Sequence, residues 1–444
     1  MKSLIKKIIP EKIFLLYHLL LAVLAATLYG NPSKKMVVIG VVGTKGKTST
    51  ANYLWAALRG AGLKVGLMGT ANIRIGDKEI PNTYHMTMPG RFILQGLLRK
   101  IADAGCTHMV LEMTSEGIKQ YRHKGVYYDV LIFTNLFPEH LPSHGGSFEK
   151  YKEAKGTVFK ELKTLPVKKI AGKLVPKVVV ANNDSEYAPY FLSFPADRKI
   201  TFSVDTPSDI RAQNISVTEK GTTFRVKEVE FFTPIPGVFN TYNILGAIAV
   251  AGALGLDVEK AKDGIAELEV IPGRMERIVE GQPFVVIVDY AHEKQSMGLL
   301  LRTAEEMKKG SLKKTIVLFG AEGGGRDKSK RRSMGLLAGK LADYVVVSNV
   351  DPYDDEPQEI IADILRATEE EGKIVGENLF PIEDRREGIR KALSLAKEGD
   401  IVLISGKGSE QSMIIKGDQV PWDDRVVVRE ELEKLGYKLS LIHI

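Results

Sequence analysis

Residues 40–49 read Gly40-Val41-Val42-Gly43-Thr44-Lys45-Gly46-Lys47-Thr48-Ser49 and lie between the apolar run Met36–Val42 and the helix-like run Ala51–Leu58. A glycine-rich turn between a strand and a helix is typical of phosphate binding, because backbone N–H groups at a helix N-terminus attract anions. Gly43 and Gly46 allow close approach of the backbone, Lys47 can reach the β and γ oxygens, and Thr48 can offer a hydroxyl to Mg²⁺. Val41 stands where the strict template has glycine, so the turn is a variant P-loop. It predicts a site for a nucleoside triphosphate.

The composition is that of a globular protein that works on small anionic molecules. The 444 residues leave room for two or three domains, and 44% are hydrophobic and 26% charged. The net charge of +7 is mild and forms no long basic run, so nucleic acid is not expected as a partner. Cys106 is the single cysteine, which excludes a disulfide framework and a cysteine-built zinc ribbon. The chain is expected to be reduced and cytoplasmic.

The N-terminal segment is the most apolar part of the chain. Ile13–Tyr29 is almost uninterrupted apolar sequence, and four lysines precede it, at positions 2, 6, 7 and 12. Seventeen residues are short for a membrane span, and no small-residue cleavage site follows. We therefore expect a helix that docks on the protein or lies at the inner face of the membrane, with a buried core helix as the open alternative.

From Met36 onward, strand-like runs alternate with helix-like runs, which predicts an α/β fold with a doubly wound, mostly parallel sheet. The predicted strands are Met36–Val42, His108–Met113, Val130–Thr134 and Val178–Ala181, and the predicted helices are Ala51–Gly60, Phe92–Ala104 and Phe148–Leu162. A strand-rich insert near Lys199–Phe232 and a small-residue helix, Ile244–Leu254, follow.

A second α/β block follows Pro272-Gly273-Arg274, which predicts a hinge between two domains. Its predicted strands, Phe284–Val288, Thr315–Phe319, Tyr344–Ser348 and Ile401–Ile404, suit a Rossmann-like C-terminal domain. The predicted divisions are an apolar helical segment over 1–35, a P-loop ATPase domain over 36–272, a C-terminal domain over 273–438 and a tail over 439–444. That tail reads LSLIHI, matches the translation of a common sequencing adaptor and carries no structural meaning.

Two polar side chains are placed where parallel strands end or just beyond, and a third lies on the helix that follows. Glu112 closes an apolar strand, where a Mg²⁺ ligand belongs in a P-loop protein. His140 follows the next strand in the loop Thr134-Asn135-Leu136-Phe137-Pro138-Glu139-His140 and could ligate a second metal ion. Lys155 lies on the following helix, and by itself would be interpreted as part of a solvated face.

Nine motifs in order make the chain resemble the Mur ligases, the ATP-dependent amide-forming enzymes of peptidoglycan precursor synthesis. The motifs are GTKGKTS at 43–49, LEMTSEG at 111–117, TNLFPEH at 134–140, YKEAK at 151–155, FNTYN at 239–243, GRMERI at 273–278, DYAH at 289–292, GGGRDKSKR at 323–331 and GKGSE at 406–410. The resemblance is strongest to the tripeptide synthetases, which add the third amino acid to a muramoyl dipeptide carried by UDP.

The resemblance implies a role for each motif. Thr48 and Glu112 would hold the Mg²⁺ that bridges the β- and γ-phosphates, while His140 and Lys155 would serve a second Mg²⁺. Lys155 would do so as a carbamate formed with CO₂, since Mg²⁺ prefers oxygen ligands. The implied nucleotide contacts are residues 43–49, Asn243, Arg274, Asp289 and His292. The implied substrate contacts are Thr87, Ser115, Gln120, Arg122, Arg326, Asp351, Tyr353 and Glu410.

The implied chemistry is phosphoryl transfer from ATP to a carboxylate, giving an acyl phosphate that the amine of an amino acid attacks. Lys47 and two Mg²⁺ ions would offset the repulsion between carboxylate and triphosphate. The protein is expected to act as a monomer.

Several positions depart from the family pattern. The 35 residues before the first strand are too few for the family's UDP-binding domain, so the muramoyl-peptide acceptor could be carried by UDP or by a lipid. Glu116 and Ser409 each replace a usual histidine. The selector of the incoming amino acid, often Asp-Asn-Pro-Arg for diaminopimelate, reads Val350-Asp351-Pro352-Tyr353. Without arginine at 353 the bidentate grip on a distal carboxylate is lost, and acidic residues at 351, 354 and 355 could favour lysine instead.

Two alternatives stay open. Folylpolyglutamate synthetases share the implied fold, although Asp289-Tyr290-Ala291-His292 is closer to the Mur ligase pattern. A non-catalytic ATP-binding subunit of a membrane-associated, wall-modifying complex is the other.

Overall fold

The computed structural model describes residues 11–84, 86–139, 141–309 and 311–438. The chain divides into two units. The first comprises Met1–Ile215, Thr223–Thr233 and Phe239–Leu268, and the second comprises Ser216–Thr222, Pro234–Val238 and Glu269–Ile444. His140 and the tail Leu439–Ile444 lie outside the described residues.

The elements of the first part of the chain alternate between strands and helices. In chain order they are α1 (Glu11–Leu28), β1 (Val37–Val42), α2 (Lys47–Gly60), β2 (Val65–Met68), β3 (Asn72–Ile75), β4 (Lys78–Pro81), α3 (Arg91–Asp103), β5 (His108–Met113), α4 (Ser115–Lys119), β6 (Val130–Phe133), α5 (Phe148–Leu162), β7 (Lys168–Ile170), β8 (Lys173–Val175), β9 (Val178–Asn182), α6 (Ala188–Leu192), β10 (Arg198–Ser203), β11 (Ile210–Thr218), β12 (Gly221–Val226), β13 (Val229–Thr233), α7 (Val238–Ala253) and α8 (Val258–Ala266). Short 3₁₀ turns lie at Pro32–Lys35 and Leu141–His144.

β1 lies at the centre of an eleven-stranded sheet in the order β13-β12-β11-β10-β9-β6-β1-β5-β2-β3-β4. It pairs in parallel with β5, where Val42 faces Met113, and with β6, where Val42 faces Phe133. All six residues of β1 are buried, as expected of a strand covered on both faces. Because parallel strands end at one edge, the segments that follow β1, β5 and β6 come together there. The predicted α/β class and doubly wound sheet are confirmed.

α1 packs on the first unit along one side. Ala22, Ala25 and Ala26 are buried, whereas seven large apolar residues on the other side are exposed, so the alternative of a buried core helix is wrong. Within the described part of the chain, no helix has both the length and the apolar character needed to cross a membrane.

The second unit is built on a six-stranded sheet in the order β14-β15-β19-β16-β17-β18, with β14 antiparallel to β15 and the other neighbours parallel. Its elements are β14 (Glu276–Ile278), β15 (Val285–Asp289), α9 (Lys294–Lys308), β16 (Thr315–Phe319), α10 (Ser329–Leu341), β17 (Tyr344–Val347), α11 (Pro357–Glu369), β18 (Leu379–Pro381), α12 (Arg385–Leu395), β19 (Ile401–Ser405), β20 (Ser412–Ile415), β21 (Asp418–Pro421) and α13 (Asp424–Lys434). The guanidinium of Arg385 donates to both carboxylate oxygens of Asp424 at 2.8 and 2.6 Å, and both side chains are buried.

Candidate active site

The P-loop runs directly from β1 into α2, and its two glycines are required by close contacts. Gly46 has φ of 77°, a left-handed conformation that favours glycine, and a Cβ there would lie 2.5 Å from Asn243 Oδ1. A Cβ on Gly43 would lie 1.9 Å from Thr134 Oγ1. Any side chain at either position would therefore displace the segments that support the loop.

The segment after β6 braces the P-loop. The backbone N–H groups of Thr44 and Lys45 donate to the carbonyl and side-chain oxygen of Asn135 at 2.9 and 2.8 Å. Thr134 Oγ1 donates to the Lys45 carbonyl at 2.8 Å. These bonds engage two of the N–H groups that the sequence could have offered to phosphate, so the first half of the loop is held by protein contacts.

Glu112 accepts hydrogen bonds from residues on two segments, Thr48 on α2 and Thr70 after β2. The side chain is buried, and the Thr48 hydroxyl lies 3.2 and 3.1 Å from its two carboxylate oxygens. Thr70 donates from its backbone N–H at 2.8 Å and from its hydroxyl at 3.0 Å. The Thr87 hydroxyl lies 2.8 Å from that of Thr70. Thr48, Glu112 and Thr87 are thus brought together as one chain of oxygen atoms beside the P-loop.

Lys155 reaches the P-loop from α5. It is buried, its Nζ donates to the Gly43 carbonyl at 2.7 Å, and it lies 4.6 Å from the centre of the Tyr151 ring. Burial and, next, the ammonium of Lys47 hold the pKa of Lys155 well below its usual value. The solvated helix face that the sequence alone suggested is therefore wrong for this lysine.

The other P-loop lysines contact neighbouring groups. Lys47 Nζ donates to the Thr44 carbonyl at 2.9 Å, and Lys45 Nζ lies 2.8 Å from Glu139. Asn243, on α7, accepts from the Thr50 hydroxyl at 3.1 Å and lies against Gly46. Lys47 and Asn243 are accordingly part of the loop's own packing.

The described residues fit a Mg²⁺ ion at this loop. Within them, no three His, Cys, Asp or Glu side chains come together as a metal site. Mg²⁺ at a nucleotide site needs only one or two protein oxygens, because phosphates and water supply the rest. The Thr48 hydroxyl and the Glu112 carboxylate are donors of that kind.

The residues expected to hold the acceptor substrate gather around α4. Ser115 is buried at its start, where Thr114 caps the helix by accepting from the Gly117 N–H at 3.1 Å. Arg122 donates to Gln120 Oε1 at 2.8 Å and to the Met88 carbonyl. Arg91 donates to the Gln120 carbonyl. Burial lowers the pKa of both arginines, which marks them as partly desolvated cations beside each other.

In the second unit, Arg274, Asp289 and His292 lie around Tyr290. The Asp289 carboxylate accepts from the N–H groups of Met275 and Ala291, both at 2.8 Å. Burial raises the pKa of Asp289, while Arg274 opposes the shift. The Arg274 guanidinium lies 4.4 Å from the centre of the Tyr290 ring, and His292 Nδ1 lies 2.8 Å from the Tyr290 carbonyl. The three predicted residues are therefore brought together within this unit.

Asp351 and Glu410 share one buried lysine. Lys407 Nζ lies 2.8 Å from Asp351 and 2.6 Å from Glu410, and Ile414 N–H donates to Asp351 at 2.8 Å. Burial lowers the pKa of Lys407, but the Glu410 and Asp351 carboxylates outweigh it and the pKa lies above its usual value. The charge of Asp351 is therefore paired inside the loop, so it offers less attraction to an incoming amine than the sequence suggested.

Tyr353 and Arg326 contact each other. Arg326 donates to the Tyr353 hydroxyl at 3.1 Å, and Tyr353 has a left-handed φ of 55°. Asp355 pairs with Arg331 at 3.4 Å, while Asp354 is exposed. Of the three acidic residues in this loop, Asp354 is the one most open to a ligand.

Three residues of these clusters were not assigned from sequence: Thr70, Arg91 and Lys407. Thr70 follows a four-residue strand, β2, whose end lies beside that of β5. The signal that could have revealed it is its place after an apolar run, as for Glu112. Lys407 lies in the GKGSE motif, and nothing in the neighbouring sequence distinguishes it from a solvated lysine.

A P-loop beside a buried carboxylate and a buried lysine defines an α/β ATPase class of the kind that transfers phosphoryl groups. Residues 41–251 match the Mur ligase middle domain, and residues 273–408 match the Mur ligase glutamate ligase domain. The chain belongs to the Mur ligase family. The interpretation as an ATP-dependent, amide-forming ligase of peptidoglycan precursor synthesis is confirmed at the level of that family.

Relatives cover nearly the whole chain. A UDP-N-acetylmuramoyl-L-alanyl-D-glutamate–2,6-diaminopimelate ligase of Geobacillus kaustophilus is 36% identical over 94% of this chain and 83% of its own length. A UDP-N-acetylmuramyl-tripeptide synthetase of a Roseiflexus species is 37% identical over 94% of this chain and 82% of its own length.

Two solved structures illustrate the likeness in fold. A diaminopimelate ligase of the same description superposes with a TM-score of 0.62 at 28% identity, covering 91% of this chain and 80% of that one. A folylpolyglutamate synthase of Mycobacterium tuberculosis complexed with ADP gives a TM-score of 0.68 at 18% identity, covering 87% of this chain and 91% of that one. The second likeness concerns the fold alone.

Proposed function

We propose that this ligase adds the third amino acid to a muramoyl-L-alanyl-D-glutamate acceptor. A carboxylate oxygen of the acceptor attacks the γ-phosphorus of ATP, and ADP leaves. The amine of the amino acid then attacks the carbonyl carbon of the acyl phosphate, so that phosphate and a proton leave and an amide remains. The observation that carries the proposal is the arrangement of Glu112 and Lys155 at the P-loop.

In this proposal the P-loop holds the triphosphate and the buried carboxylate faces the metal. Lys47 and the backbone of residues 46–49, in the second half of the loop, would bind and orient the phosphates, and the Thr48 hydroxyl and Glu112 would hold Mg²⁺. When bound, Mg²⁺ neutralises phosphate charge and so permits a carboxylate to approach. Thr70 fixes the carboxylate of Glu112 through two hydrogen bonds, and the Thr87 hydroxyl contacts that of Thr70.

Lys155 is proposed to carry a carbamate that, with His140, would serve a second Mg²⁺. An amine attacks CO₂ only when it is neutral, losing a proton as the N–C bond forms. The burial of Lys155 and the nearby ammonium of Lys47, which lower its pKa, support a neutral amine. The resulting anionic oxygens suit Mg²⁺ better than an ammonium does.

The acceptor is proposed to bind near Thr87, Ser115, Gln120 and Arg122, with UDP or a lipid as its carrier. Arg122 and Arg91 offer two partly desolvated cations for its carboxylates. The second unit would supply the amino-acid site around Arg326, Tyr353 and Glu410, with Arg274, Asp289, Asn243 and His292 at the nucleotide. A hinge near residue 272 would let the C-terminal domain deliver the amino acid.

The proposal places the chain in the cytoplasm as a monomer, where ATP is available. The amino acid is proposed to be one without a second carboxylate, because Tyr353 cannot grip one as arginine does. Lysine remains the leading candidate, through Asp354.

The test is ADP release by the purified protein with UDP-linked and lipid-linked muramoyl dipeptides and with folate, each combined with a panel of amino acids. We expect turnover only when a muramoyl dipeptide and an amino acid are both present. Turnover restricted to folate and glutamate would contradict the proposal. The absence of amino-acid-dependent turnover with every acceptor would favour a non-catalytic ATP-binding subunit.

A further inference from the structure

Helix α1 has one side against the protein and one side exposed. On the protein side, Ala22, Ala25 and Ala26 are at most 2% exposed, and the larger Phe14, Leu15 and Leu19 are partly buried. On the other side, the large apolar residues Ile13, Leu16, Tyr17, Leu20, Val23, Leu24 and Leu28, here called the apolar stripe, are 49–68% exposed. An ordinary surface helix has polar residues on its exposed side.

The apolar stripe is continuous on one side of the helix. At about 100° per residue its members fall within an arc of roughly 140°, on the side opposite the three alanines. A contiguous apolar surface of this kind on a globular protein marks a site of association.

The orientation of α1 is fixed by close packing on the first unit. A Cβ on Gly125 would lie 2.5 Å from Ala26 Cβ, and a Cβ on Gly96 of α3 would lie 3.3 Å from the Tyr29 hydroxyl oxygen. The alanine side of α1 is therefore packed against glycines that leave no room for a side chain. The stripe is the side that stays available to another surface.

Positive charge accompanies the stripe along the chain. The first 35 residues contain six lysines and one acidic residue, Glu11, which makes +5 of the net +7 of the whole chain. Lys34 and Lys35 follow α1 directly and are exposed. The apolar stripe, followed along the chain by the exposed Lys34 and Lys35, suits a bilayer with anionic headgroups, since the two attractions add. A second copy of the chain would instead bring like charges together.

The stripe lies beside the residues proposed to hold the acceptor. α1 packs on α3, and Tyr17 is close enough to Arg91 at the start of α3 to influence its pKa. Arg91 donates to the Gln120 carbonyl. Phe92 and Ile93, also at the start of α3, are 39% and 40% exposed and add apolar surface there.

We propose that the apolar stripe and the adjoining lysines dock the protein on an anionic bilayer surface, with the acceptor site next to the headgroups. Binding through the seven residues of the apolar stripe and the lysines that follow it needs no substrate. It can therefore be measured apart from ligation, and its failure is distinguishable from failure of the proposed reaction.

The test is co-sedimentation with phosphatidylcholine vesicles, with and without 30% phosphatidylglycerol by composition. We expect the full chain to bind the anionic vesicles at least tenfold more strongly than the neutral ones. The variant Leu16→Glu/Leu20→Glu/Leu24→Glu should lose this binding, and Lys34→Gln/Lys35→Gln should weaken it severalfold. The control Val167→Glu/Leu174→Glu/Leu312→Glu places the same three charges at apolar residues outside the stripe that are 57%, 72% and 102% exposed, and should bind as the unaltered chain does.

Failure of the unaltered chain to bind anionic vesicles would overturn the proposal, as would full binding by the triple glutamate variant. Light scattering in the absence of vesicles provides the other arm. If the unaltered chain is a dimer and the triple glutamate variant is a monomer, the stripe is covered by a second copy of the chain. That result also overturns the proposal.

Discussion

Two buried lysines, one in each unit, lie in opposite electrostatic surroundings. Lys155 contacts a carbonyl oxygen and an aromatic ring, and its pKa is lowered. Lys407 contacts two carboxylates, and its pKa is raised. Burial opposes a charge in both places, so the partners decide the outcome. Lys155 is therefore suited to lose its proton and be modified, whereas Lys407 stays a cation that ties a loop together.

The largest effect is expected from Lys155→Ala. If Lys155 supplies a carbamate to a metal, the variant should lose at least about 100-fold in kcat, as when a preorganised charged group is removed from a reacting centre. Added short carboxylates such as formate or acetate should restore part of the rate. Lys160→Ala, an exposed lysine on the same helix, is the matched control. Unchanged turnover by Lys155→Ala would remove the carbamate assignment.

Lys407→Met tests the other side of the comparison through stability. Removing one partner of a buried ion pair leaves an uncompensated charge, so the free energy of unfolding should fall by about 3–5 kcal/mol. Urea unfolding measures it. Adding Asp351→Asn in the same chain should recover a substantial part of the loss. Equal loss in the single and double variants would mean that the two side chains do not act as a pair.

A smaller effect is expected where a neutral hydroxyl supports the buried carboxylate. Thr70→Val removes the hydroxyl that donates to Glu112 but leaves the backbone N–H in place. A hydrogen bond to a charged group contributes about 1.5–3 kcal/mol, so kcat/KM should fall roughly tenfold or more. The Mg²⁺ concentration needed for half-maximal rate should rise as well. An unaltered Mg²⁺ dependence would separate Thr70 from the metal site.

The smallest and most specific effect is in the pH dependence of stability. Because the pKa of Lys155 is lowered in the folded protein, the unfolded chain keeps the proton of this lysine to a higher pH than the folded chain does. The free energy of unfolding contributed by Lys155 therefore rises as pH rises toward the usual pKa of lysine. The raised pKa of Lys407 means that its contribution is complete below the usual lysine value and is lost only as pH rises through the higher value of the folded state.

Lys155→Met should therefore have a higher free energy of unfolding than the unaltered chain near neutral pH, and this difference should shrink toward pH 10. The deficit of Lys407→Met should stay constant over the same range. Unfolding free energies of both variants at a series of pH values provide the measurement. Parallel pH profiles for the two variants would contradict the contrast between these lysines.

Much of the fold could be predicted because its central strands are continuous apolar runs and its helices have clear apolar periodicity. The strands His108–Met113 and Thr315–Phe319 and the helix Phe148–Leu162 have the bounds expected from sequence. The strands β2, β3 and β4 were not predicted, since strands of four residues carry little periodic signal. That omission hid Thr70, which lies just after β2.

The site residues that lie in recognisable motifs could be predicted from the sequence. Those that are far apart along the chain and meet only in the fold could not. Thr48 and Glu112 follow apolar strands, so their convergence could be expected. Asp351 and Lys407 are 56 residues apart, and only the fold pairs them. The role of His140 stays a prediction, because it lies outside the described residues.

In the proposed reaction, the γ-phosphate of ATP passes to a carboxylate before the amide forms. The most direct measurement uses a muramoyl dipeptide with ¹⁸O in its reacting carboxylate, ATP, Mg²⁺ and the amino acid, followed by mass analysis of the phosphate released. We expect one ¹⁸O atom in each phosphate, because the attacking oxygen leaves with it. Phosphate free of ¹⁸O, formed together with the amide product, would contradict the acyl-phosphate route.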